Sequence, residues 1–146
     1  MIDYEWINKK LSTGLKLRFD IGLSFNMPNS TKWLRDDESV YVIGIEPHPG
    51  NFKSCYSHVE TSNAGDRCYL IEAAVSNVSE SGEQDFYGLS GDAGTSSLCR
   101  PIGRFENLVD RVYSVETVSL ASILDNLNYE RIDVLKTDTQ GNDLNV

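Results

Sequence analysis

Val40 to Ile45 reads VYVIGI, a run with no charged residue that ends directly on an acid, Glu46. A strand that is apolar at nearly every position, rather than at alternate ones, must be covered on both faces. That places it inside a parallel sheet with helices above and below. The flanking sequence fits this placement. Leu15 to Ile21 reads as a first strand, alternating apolar and charged residues before turning apolar at its end. Asn29 or Ser30 is expected to cap a helix through Thr31–Leu34. Pro47-His48-Pro49-Gly50 opens a second helix with Phe52, Cys55, Tyr56 and Val59 at i, i+3, i+4 and i+7, and Cys68 to Val75 reads as a third strand. Strand, helix, strand, helix, strand predicts an α/β fold: a Rossmann-like, doubly wound, mostly parallel sheet with right-handed crossovers. A short helix over Tyr4–Leu11 is expected to precede it.

The second half reads differently. Gln84–Leu89 and Arg111–Val118 are strand-like and are separated by a Gly/Ser/Thr-rich stretch at 90–103 with no long helix, so they are expected to add an antiparallel pair to the same sheet. Ser119 is expected to cap a helix carrying Leu120, Ile123, Leu124 and Leu127 on one face. Ile132 to Thr137 is a further buried strand that ends at Asp138, and the chain reaches Val146 in what reads as the first turn of another helix. The 146 residues are expected to form one domain.

Where the strands end, the residue types point to a ligand. In FDIGLSFN an apolar run stops at Asp20 and turns at Gly22, and Glu46 follows at about the 20-residue spacing of a nucleotide-binding βαβ unit. An acid there can accept hydrogen bonds from the two hydroxyls of a ribose, and Pro47 fixes its direction. The turn is not G-x-G-x-x-G, because Gly22 is its one glycine. It therefore lacks the cradle for a pyrophosphate, and S-adenosylmethionine, which has no phosphate, fits better. Asp20 would fix the turn or reach the cofactor ammonium through water. Ala74 and Ser76, at the end of the third strand, would line the adenine. Lys136, Asp138, Gln140 and Asp143 crowd the end of the last strand, where ligands of open α/β sheets bind. Asp138 could hold the cofactor ammonium, or position an acceptor hydroxyl and take its proton; its competing reading is a helix cap.

Charge narrows the partners. Thirteen basic against 22 acidic residues give a net charge of −9, which repels phosphate backbones, so nucleic acid is not expected as a substrate. Three cysteines without C-x-x-C and two histidines provide no metal-ligand spacing, and no metal is expected. No charged-then-apolar leader opens the chain and no apolar run approaches ~18 residues, so no membrane association and a cytoplasmic location are expected.

Taken in order, FDIGLSFN, GIEPHPGNF, EAAVSN, GTSSL, VSLASILDNL and VLKTDTQGND resemble the FkbM-type methyltransferases, class I enzymes that use S-adenosylmethionine. Asp20 and Gly22 match the first motif of that family, with Ser24 and Asn26 in place of its Asn and second Gly. Lys136, Asp138 and Gly141 match the last, with Gln140 for a Glu. The resemblance implies cofactor contacts from Asp20, Gly22, Ser24, Asn26, Glu46, Pro47, Ala74 and Ser76, a catalytic role for Asp138, and O-methylation of a sugar or other small hydroxylated acceptor. It also implies a seven-stranded sheet whose last three strands would lie beyond Val146. That would leave an open edge able to pair with a second copy of the chain. The alternative is a non-catalytic module that binds S-adenosylmethionine or a nucleoside and acts through a partner. A dinucleotide-dependent oxidoreductase would need the phosphate turn that is missing.

Overall fold

The computed structural model describes residues 2–89 and 93–146. Four strands form the central sheet: β1 (Lys16–Ile21), β2 (Val40–Ile45), β3 (Cys68–Ile71) and β7 (Val134–Thr137). They lie in the order β3-β2-β1-β7, and every pair is parallel. The chain runs outward from β1 to β3 and then returns to the other side of β1. The order therefore reverses between β1 and β7, which is where open α/β sheets bind ligands.

Helices α1 (Tyr4–Leu11) and α4 (Leu120–Asp125) cover one face, and α2 (Pro28–Asp36) and α3 (Pro49–Thr61) the other. The first core joins Ile7 and Leu11 to Leu17, Phe19 and Ile21 of β1, to Tyr41, Ile43 and Ile45 of β2, and to Ile123 and Leu127. The second packs Val40 and Val42 against Leu34, Cys55 and Trp33. All six residues of β2 are buried, as its unbroken apolar run requires. The charged alternation of β1 has another explanation than solvent exposure. Its even-numbered side chains turn toward α2, where Arg18 lies 5.4 Å from the Trp33 ring and Asp20 is fully buried.

Several boundaries differ from expectation. Helix α2 starts at Pro28, behind Met27 in the left-handed region, and has no side-chain cap. Proline suits the first helical position because its missing N–H has no partner there anyway. Ser30, one of the two expected caps, instead sits inside the helix and donates to Asp20. Tyr56 was placed on the buried stripe of α3 but is 50% exposed. The expected strand Cys68–Val75 is split. β3 ends at Ile71, and Ala74–Val75 form a separate short strand, β4, in another sheet. That second sheet also holds β5 (Gly82–Leu89) and β6 (Val109–Val118), in the order β4-β6-β5. The β5–β6 pair is antiparallel as expected, but β6 pairs with β4 and not with the central sheet. β7 is a half-covered edge strand rather than a buried one, with Leu135 46% exposed. The Ser119 cap is present, its hydroxyl accepting from the Ser122 N–H at 3.0 Å. Val146 follows a single 3-10 turn, Asp143–Asn145. Of the loop at 90–103, residues 90–92 lie outside the described residues.

Candidate ligand-binding cleft

The register of the central sheet brings the site together. Ile21 pairs with Ile45 and with Thr137, and Ile45 pairs with Ile71, so four strands end on one line. Three further hydrogen bonds carry the pattern one residue past the strands. Gly22 N–H donates to Ile45 O at 2.9 Å, Glu46 N–H to Ile71 O at 3.1 Å, and Asp138 N–H to Ile21 O at 2.9 Å. Gly22, Glu46 and Asp138, dispersed over more than a hundred positions of sequence, thus emerge side by side. The cleft above them has a volume of about 540 Å³ including its open mouth.

Gly22, Ser24, Glu46, Pro47, Ala74 and Asp138 lie on the cleft wall, so six of the nine expected site residues are brought together. Asp20, Asn26 and Ser76 are not on it. Asp20 is fully buried behind the turn. Its Oδ2 accepts from Ser30 N–H at 3.1 Å and Ser30 Oγ at 2.6 Å, and its Oδ1 lies 3.0 Å from Lys136 Nζ. Its carboxylate is thus engaged by Ser30 of α2 and Lys136 of β7 and does not face the cleft. Asn26 is exposed in the loop before α2. Ser76 continues the β4 pairing through N–H to Val118 O at 3.0 Å.

Gly22 is required by the protein itself. Its φ is +80°, and a Cβ there would stand 2.0 Å from the carbonyl oxygen of Asp138. The turn after β1 and the turn after β7 touch backbone to backbone, and only glycine permits that approach.

Glu46 is 4% exposed yet forms part of the wall. Its Oε2 accepts from Ser24 N–H at 2.9 Å, and its Oε1 from His48 N–H at 3.0 Å and Asn51 Nδ2 at 3.4 Å. Burial lifts its carboxyl above the ordinary carboxylate range, against the lowering pull of these donors.

Asp138 is exposed at the mouth, and its Oδ1 accepts from Gln140 Nε2 at 2.9 Å. It caps no helix. The turn that follows is closed by Asp143, whose carboxylate accepts from Thr139 N–H at 2.8 Å and Gly141 N–H at 3.3 Å and is held below its usual pKa chiefly by the first of these. Two buried side chains tie that turn to the small sheet. Asn142 Nδ2 donates to Val75 O at 3.0 Å, and Ser97 Oγ donates to Gln140 O at 2.9 Å.

Sequence reasoning missed the wall supplied from outside the central sheet: Phe86 of β5, Ser96 and Leu98 of the following loop, Asn51 of α3, and Asn142. Phe86 carried a signal, since it is the first apolar side chain after the polar run Glu83-Gln84-Asp85 in β5. Nothing in the chain's local pattern marks Asn142.

The Methyltransferase FkbM domain matches residues 19–146. The chain belongs to this family. The match takes in the second half of β1 and every element after it, so the cleft of this FkbM domain lies wholly within it. The mostly parallel sheet with its small mixed companion agrees with a Rossmann-like methyltransferase fold, and the family supports methyl transfer as the class of activity. No curated protein and no solved structure matches the chain. Among the described residues of the FkbM domain no group of three or more His, Cys, Asp or Glu is placed to hold a metal ion, and no helix is long and apolar enough to cross a membrane.

Proposed function

We propose that this FkbM domain binds S-adenosylmethionine in the cleft and methylates a hydroxyl group of a small acceptor, a sugar or similar polyol. The observation that carries this reading is the shared strand-end line that sets Gly22, Glu46 and Asp138 around one cleft. The wall suits that cofactor in its donor set. Glu46 presents an acid at the end of β2 to a ribose hydroxyl, Ala73, Ala74, Phe86 and Leu98 offer an apolar surface to a nucleobase, and Ser24 and Gln140 are polar groups for the amino-acid end. When bound, S-adenosylmethionine supplies an electrophilic methyl group on a sulfonium.

The chain's own contribution is positional. Phe86 and Leu98 exclude water from the cleft, Glu46 fixes the sugar of the ligand, and the Asp138 carboxylate accepts the proton released by the attacking hydroxyl. Ser97 and Asn142 hold the Asp138 turn against the small sheet.

Calorimetric titration with S-adenosylhomocysteine, followed by mass spectrometry of sugars incubated with S-adenosylmethionine, tests this reading. Binding with product formation is expected, and Asp138→Asn should lower turnover by about 10²-fold while leaving the fold intact. Binding without methylated product across a broad acceptor panel would turn the reading into the non-catalytic module. No binding would remove it.

A further inference from the structure

Four of the segments that build the cleft are devoid of positive charge. Residues 19–31, 40–47, 68–99 and 137–146 contain no lysine, arginine or histidine. Among the described residues that line the cleft there is accordingly no base, whereas two acids, Glu46 and Asp138, face it. The remaining polar wall is neutral amide and hydroxyl, from Asn51, Gln140, Asn142, Ser24, Ser96 and Thr139.

The bases nearest in sequence are committed elsewhere. Lys136 is the one base on the strand that delivers Asp138. Its Nζ is 3.0 Å from Asp20 Oδ1 and donates to the carbonyls of Ile21 and Gly22 beneath the turn. His48 follows Pro47, but its Nδ1 accepts from Asn51 N–H at 3.2 Å and its ring packs edge-on against Tyr113 at 5.0 Å. Burial holds its pKa below the usual value, against the pull of Asp110.

Resting on the cofactor reading above, we infer that the cleft selects its acceptor by charge: the hydroxylated acceptor carries no phosphate and no carboxylate. A phosphorylated or acidic sugar would leave water for a low-dielectric cleft whose wall offers two acids and no base. An uncharged polyol loses only hydrogen bonds to water, which the amides and hydroxyls of the wall replace. The same acids favour the sulfonium and ammonium charges of the methyl donor.

Any ligand whose ribose is held by Glu46 brings its 5′ substituent into the same acid-lined space, which gives a test that needs no known acceptor. Adenosine, 5′-methylthioadenosine and adenosine 5′-monophosphate are titrated into the protein at pH 7.5, with S-adenosylhomocysteine as reference. The monophosphate should bind at least about tenfold more weakly than methylthioadenosine, and the gap should narrow as salt rises. Equal or tighter binding of the monophosphate, with S-adenosylhomocysteine still binding, would overturn charge selection and leave the cofactor reading standing. Failure of S-adenosylhomocysteine and both neutral nucleosides to bind would overturn the two together. Among acceptors, faster methylation of glucose 6-phosphate or glucuronate than of methyl glucoside would also refute the inference.

Discussion

Gly22→Ala separates two costs that are usually measured together. Gly22 has φ +80°, and its added Cβ would lie 2.0 Å from the Asp138 carbonyl oxygen and 2.9 Å from its carbonyl carbon. Gly14 is a matched control, with φ +85° and nothing within 4 Å of its Cβ. At Gly14, alanine bears only the left-handed backbone penalty of ~1–2 kcal/mol. About 0.4–1 kcal/mol of that is offset by the stiffer unfolded chain. Gly14→Ala should therefore cost about 1 kcal/mol net. At Gly22 the same penalty is joined by overlap with a backbone atom. Asp138 cannot retreat without stretching its N–H bond to Ile21 O, so β1 would have to part from β7. Over-packing costs ~1–3 kcal/mol, and a backbone neighbour puts this site at the upper end. Gly22→Ala should then cost about 3–4 kcal/mol in all. At ~3–4 °C per kcal/mol for a domain of this size, Tm should fall by roughly 10–15 °C, against roughly 3–4 °C for the control. Urea unfolding followed by the fluorescence of Trp6 and Trp33, with calorimetry for Tm, measures both variants. Equal losses would refute the close approach of the two turns.

Glu46 has a raised pKa in the fold, so ligand affinity in the cleft should be lost as pH falls through a value above that of an ordinary glutamate, and Glu46→Gln should abolish that pH dependence while weakening S-adenosylhomocysteine by roughly 1.5–3 kcal/mol at neutral pH. The stability of the ligand-free protein runs the other way. The folded state binds the Glu46 proton more tightly than the unfolded one, so stability declines as pH rises from the unfolded pKa through the folded one, a trend that urea midpoints between pH 4 and 7 would register. Asn142→Ala strands the Val75 carbonyl and should cost about 1–3 kcal/mol in urea unfolding; an unchanged midpoint would mean that the turn is not anchored through this side chain. Cys55 and Cys68 are buried with thiol pKa values pushed up to about 12 by desolvation, while Cys99 is exposed, so a disulfide reagent such as DTNB should titrate one thiol in the native protein and three after denaturation.

The sequence by itself determined the central sheet and the line of residues at its end. VYVIGI can be satisfied only between two helical layers, and once β2 is fixed, the crossovers place β1 and β3 beside it with their ends level. Glu46 and Gly22 were legible for that reason: strand termini in a parallel sheet converge whatever the loops do. Tertiary structure alone decided the rest. Whether Cys68–Val75 is one strand or two depends on β6, which draws Ala74 and Val75 into a second sheet from more than forty positions away. Asp20 and Lys136 looked like site residues because both are charged and close to strand ends. They are directed behind the turn, where each is the other's ion-pair partner, and no local pattern records that pairing. Asp138 was open to reading as a cap until Asp143 was seen to accept from the two amides in question. Phe86, Ser97 and Asn142 reach the cleft through contacts between separately hydrogen-bonded sheets. Periodicity reports which face of an element is buried, but the partner that buries it is chosen by packing across the whole chain.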